Sequence, residues 1–111
     1  MRASLIVTTY KRPDALHLVL QSVLQQTVPP AEIIVADDGS GADTAETVGR
    51  FATTSPIPVK HVWQEDQGFR AAQSRNHALA AAQGPYIVLI DGDMVLHPEF
   101  IADHKRAAKK G

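Results

Sequence analysis

The chain contains no cysteine. Disulfides, thiolate zinc sites and cysteine nucleophiles are therefore excluded, and the composition fits a reducing compartment. No apolar run approaches the roughly 20 residues of a membrane-spanning helix. MRASLIVTTY at the start joins a charge to a short apolar run but lacks a small-residue cleavage site, so it reads as a first strand rather than a signal peptide. There is no excess of positive charge either. A net charge of −1 and a pI near 6.5 offer no bulk attraction for nucleic acid or acidic membrane. The one locally basic stretch, HKRAAKKG, is short and reads as a solvated helix end. Internal repeats and low-complexity segments are absent.

What remains is an ordinary globular composition. The chain has 111 residues, 44% hydrophobic and 21% charged. That is one small domain, able to bury somewhat more than about 60% of its unfolded surface.

SLIVTT (4–9) and EIIVADDGS (32–40) are apolar on both faces at their cores, the pattern of buried parallel strands. PIPVKHVWQ (56–64) is a shorter strand and PYIVLI (85–90) a fourth. Between them lie helical patterns. Pro13 opens the first, which places Leu16, Leu20, Val23 and Leu24 on one stripe and stops at TVPP. DTAETVGRFATTS turns Val48 and Phe51 inward and is weakened by Gly49. GFRAAQSRNHALAAAQG has an alanine packing surface and ends at Gly84 as a C-cap. HPEFIADHKRAAKK is a last helix with Pro98 in its first turn. Strands alternating with helices predict an α/β fold: an open, mostly parallel sheet with helices on both faces.

In such sheets ligands bind outside the carboxyl ends of the strands. The unusual polar residues sit at those ends: Thr8, Thr9 and Tyr10, then Asp37 and Asp38, then Asp91 and Asp93. In YIVLIDGDMVL two carboxylates flank a single glycine and repel each other unless a positive charge lies between them. Both are oxygen ligands of the kind hard divalent cations prefer, and such a cation would bridge to an anionic partner such as a diphosphate. Gly92 lets backbone or ligand approach closely. Asp-Gly is also a common turn pair, and one member of Asp37 and Asp38 can serve only a turn or helix cap. Arg70, near the start of the third helix and close to Gly68, is a better ligand candidate than Arg75. His17, His61, His77, His97 and His104 show no metal-ligand spacing and read as ordinary core or surface residues, His97 standing nearest the acidic pair.

With these residues in place, SLIVTTYKRPD, LQQT before EIIVADDGS, and DQGFRAAQSRNHALAAAQGPYIVLIDGDMVLHP resemble, in order, the N-terminal half of a family 2 glycosyltransferase of the GT-A fold. Residues 66–98 are similar to bacterial polysaccharide-building members of the chondroitin polymerase kind. The resemblance implies that Thr8 and Tyr10 line a nucleotide pocket. Asp38, with Asp37 beside it, falls where the base is hydrogen-bonded, and Arg70 where a basic residue contacts it. Asp91 falls where the family's first acidic residue reaches ribose or a metal-bound water. Asp93 falls on the position that ligates Mn²⁺ or Mg²⁺. Arg75 and Asn76 match an Arg-Asn pair that supports the site from its helix. The activity implied is an inverting, metal-dependent transfer from a nucleotide-diphosphate sugar, UDP being the family's common choice, to a saccharide or other acceptor.

In that family the acceptor region and catalytic base lie beyond the acidic pair. Residues 1–111 are therefore expected to be a truncated domain, the donor-binding half, with no catalytic residue of their own and no turnover alone. A cytoplasmic setting is implied, with peripheral attachment at the inner membrane face open to the full-length protein. Self-association through an exposed sheet edge is a further expectation. Three alternatives remain: a scaffold that keeps the fold without the chemistry, a haloacid-dehalogenase-type phosphatase using VLIDGDMV, and a sugar-nucleotide-forming transferase. The second places its motif at the start of the fold, and the third needs a glycine-rich loop that TTYKRPD lacks.

Overall fold

A computed structural model describes residues 2–65 and 71–110. Its elements are β1 (Ala3–Thr9), α1 (Pro13–Leu24), β2 (Glu32–Asp37), α2 (Ala42–Thr54), β3 (Val59–Trp63), α3 (Ala71–Ala81), β4 (Tyr86–Asp91) and α4 (Phe100–Lys110). The strands form one parallel sheet in the order β3-β2-β1-β4.

The two strands that are buried almost end to end, β1 and β2, take the centre, where both faces are covered. Alternation along β1 divides the core. Leu5 and Val7 face α1, α2 and α4 through Leu16, Leu20, Val23, Val48, Phe51 and Ile101. Ile6 faces the other way, with Ile34 and Ala36, against Ala78 of α3. The expected helices on both faces are thus present. Their placement follows from handedness: the chain steps outward from β1 to β3, then returns past β1 to β4. A right-handed crossover in the reverse direction must lay its helix, α3, on the opposite face. Strand order reverses between β1 and β4, so a crevice opens at their carboxyl ends.

Several boundaries differ from expectation. In α1, Val19 completes the buried stripe, whereas Leu24 is only partly covered. Strand β3 begins after Pro58, which has no amide proton to give a ladder. Helix α3 ends at Ala81, and Gly84 is not its cap. Gly84 N instead donates to Ser4 Oγ at 2.8 Å, and a Cβ there would sit 2.6 Å from that oxygen. Helix α4 starts at Phe100, two residues beyond Pro98. The His97 and Pro98 carbonyls accept from Gln26 Nε2 (2.8 Å) and Thr27 N (2.9 Å), which ties the segment before α4 to the end of α1. No described helix is long and apolar enough to cross a membrane.

Candidate functional site

A cavity of about 260 Å³ lies in the predicted crevice. Its wall on the β1 side is Thr8, Thr9, Tyr10 and Arg12; β2 contributes Ala36 at its floor and Asp38 just beyond; α3 contributes Ser74; the turn after β4 contributes Asp91, Gly92 and Asp93. Of the residues singled out in the sequence, Thr8, Tyr10, Asp38, Asp91 and Asp93 therefore meet here. Arg70 lies outside the described residues.

The acidic turn is built by strand register. Thr8 pairs with Asp91 across the β1–β4 ladder, and Thr8 Oγ1 lies 3.3 Å from Asp91 Oδ1 and 3.5 Å from the Ile90 carbonyl. Met94 N donates to the Asp91 carbonyl at 3.1 Å, closing a four-residue turn through Gly92 and Asp93. Gly92 is required by space: a Cβ there would meet the Thr8 carbonyl oxygen at 2.2 Å. The turn thus presses against β1 and leaves Asp91 and Asp93 both exposed at the rim.

The second strand end divides its two carboxylates. Asp37 is fully buried and does not line the cavity. Its Oδ1 accepts from Ser40 N at 2.9 Å, and its Oδ2 lies 2.8 Å from His61 Nε2. Burial opposes its ionisation, but the hydrogen bonds of His61 and Ser40 outweigh it and hold the carboxyl below the ordinary carboxylate range. Asp37 is thus the member of the pair that serves the turn, with Gly39 in the left-handed region at φ 99°. Ser40 fastens that turn to its neighbours, accepting from Lys11 N at 2.7 Å and, through its carbonyl, from Trp63 Nε1 at 3.0 Å. Asp38 turns the other way. Its backbone N donates to the Thr9 carbonyl at 3.2 Å, and its Oδ1 accepts from Gln64 Nε2 at 2.6 Å at the cavity wall.

Three residues with roles here were missed in the sequence. His61, read as ordinary, is the hydrogen-bond partner of Asp37; only the Val35–His61 register brings it there, and no local spacing announces it. Arg12, read as part of a helix start, lines the cavity while pairing with Asp14 at 3.2 Å, both side chains exposed. Ser74 was hidden in an alanine-rich stretch. Arg75 and Asn76, matched as helix support for the site, are both exposed and line no part of the cavity. His97 is exposed too and accepts from Glu99 N through its own Nδ1 at 3.2 Å.

Among the described residues no three His, Cys, Asp or Glu side chains converge as a closed metal cage. The donor set fits a different kind of site. Mg²⁺-like ions keep several waters and take one or two carboxylates together with substrate phosphates. Asp91 and Asp93, hard oxygen donors at the rim of a cavity, match that requirement.

The profile of glycosyl transferase family 2 matches residues 4–111. A hyaluronan synthase of Pasteurella multocida is 36% identical over 88% of this chain, and a chondroitin synthase of Escherichia coli is 34% identical over 91%. The chain spans 10% and 15% of the length of these two relatives. Among solved structures, S. aureus TarS 1-349 in complex with UDP-GlcNAc superposes with a TM-score of 0.86 at 26% identity, over 99% of this chain and 32% of that one. The mannosyltransferase PcManGT from Pyrobaculum calidifontis, in complex with GDP-Man and Mn²⁺, gives 0.83 at 28% identity, over 95% and 31%.

Proposed function

We propose, from the premise that this chain belongs to glycosyl transferase family 2, that residues 1–111 form the donor-binding part of a metal-dependent glycosyltransferase. The observation that carries the reading is the meeting of Thr8, Asp38, Asp91 and Asp93 in one cavity at the point where strand order reverses. The donor is a nucleotide-diphosphate sugar, with UDP as the carrier supported by the TarS complex. Asp93, with Asp91, holds Mn²⁺ or Mg²⁺, a choice supported by the Mn²⁺ in the mannosyltransferase complex. The bound cation supplies positive charge to the departing diphosphate. Asp38 and Tyr10 hold the nucleoside, and Arg70 is assigned to the base. Asp37 acts indirectly, by fixing the turn that aims Asp38. The family match over nearly the whole chain displaces the phosphatase alternative.

No catalytic base is assigned among these residues, which span 10% and 15% of the two synthases they match. The absence of cysteine supports a cytoplasmic setting. Isothermal titration of the chain with UDP, with and without Mn²⁺, tests the reading. Binding is expected to need the metal and to weaken tenfold or more in Asp93→Ala. Metal-independent binding, or an unaffected variant, refutes the assignment of Asp93.

A further inference from the structure

Ser74 is a buried residue whose chemistry the donor site has not yet used. It is 3% exposed, sits on the inner face of α3, and lines the cavity. Its Oγ has no hydrogen-bond partner among the described residues. A buried helical serine ordinarily donates to a carbonyl one turn back, as Ser22 does to Val19 at 2.6 Å. An orphaned buried hydroxyl costs stability, and alanine would favour the helix more. Both local and tertiary physics thus disfavour serine here unless something entering the cavity completes its hydrogen bonding. Thr9 repeats the pattern, with a buried Oγ1 that is unpartnered among the described residues and a place in the same wall.

Position within the cavity indicates what that group is. Helix α3 lies over β2, β1 and β3, whereas the acidic turn follows β4. The diphosphate belongs beside Asp91 and Asp93. The part of the ligand that reaches away from them, over Ala36 and towards Asp38, is the nucleoside. A serine hydroxyl both donates and accepts, which suits a base edge carrying carbonyl and N–H groups together. We propose that Ser74 contacts the ligand directly, its hydroxyl hydrogen-bonding the nucleoside end of the bound nucleotide and contributing to base choice. The inference rests on the donor-site reading above.

The test compares the full chain with Ser74→Ala in three measurements: titration with UDP and Mn²⁺, titration with inorganic pyrophosphate and Mn²⁺, and thermal unfolding without ligand. UDP affinity is expected to fall about 5–10-fold, the worth of one hydrogen bond. Pyrophosphate affinity is expected to stay the same, and the unliganded melting temperature to hold or rise. If the wild type binds UDP and Ser74→Ala binds it equally well, the contact is refuted and the donor site stands. If the variant loses UDP and pyrophosphate affinity together and melts lower, Ser74 is a structural residue and the contact is again refuted. If the wild type binds UDP under no condition, the donor-site reading itself fails and the contact falls with it.

Discussion

Gly92→Ala tests how the acidic turn is held. The added Cβ would lie 2.2 Å from the Thr8 carbonyl oxygen, 3.3 Å from its carbon and 3.4 Å from Thr9 Cα. A relaxed carbon–oxygen contact needs about 3.3 Å, so roughly 1 Å of clearance must be found. Thr8 cannot supply it, because β1 is paired with β2 on one side and β4 on the other. The turn must move instead, at a cost of about 2 kcal/mol for forced overpacking. In a domain of this size that lowers the melting temperature by roughly 8–16 °C. Displacement by about 1 Å also shifts Asp93 relative to Asp38, and misplacement on that scale costs up to about 100-fold in well-positioned sites. UDP affinity in Mn²⁺ is expected to fall at least tenfold. Gly49→Ala is the control. Gly49 is exposed within α2 and an added Cβ meets nothing within 4 Å. Alanine there gains about 1 kcal/mol of helix propensity, or roughly 4–8 °C. Calorimetry on the two variants should give shifts of opposite sign. A Gly92→Ala protein that melts and binds like the wild type refutes the steric argument.

Acid stability should depend on Glu32, at the opposite end of the sheet. Burial opposes its ionisation, but the Gln83 N–H, the Ser4 hydroxyl and Lys60 outweigh it and hold its carboxyl at about 2, against an ordinary 4.5. A depressed carboxylate contributes stability above its unfolded pKa and loses it as pH falls through the folded one. On the order of 2–3 kcal/mol should therefore disappear between pH 4.5 and 2, and Glu32→Gln should remove that slope in pH-dependent unfolding. An unchanged slope in the variant counts against the assignment. The exposed face of β4, a sheet edge carrying Leu89 at 47% exposure, should support self-association at high concentration. Sedimentation should show concentration-dependent association that Leu89→Lys suppresses; a monomeric wild type at high concentration contradicts it.

Period and punctuation fixed much of this protein in one dimension. Strands apolar on both faces declared a parallel sheet, helical stripes declared its cover, and carboxylates at strand ends marked the crevice. These are local signals, because side-chain direction repeats every two residues in a strand and every 3.6 in a helix. Asp91-Gly92-Asp93 was legible for the same reason: its chemistry lies within three consecutive residues. Asp37 and Asp38 were legible only as a pair. Which one enters the cavity depended on His61 arriving beside Asp37 through the β2–β3 register, 24 residues away. Gly84 looked like a helix cap until Ser4, 80 residues distant, proved to be its partner. Ser74 stood among alanines, and nothing in that stretch distinguishes a packing position from a cavity wall. The sequence by itself therefore determined the elements and the chemistry available at their ends. Tertiary structure alone decided which side chains face one another, because strand order and register are set by pairings between distant segments that no local window contains.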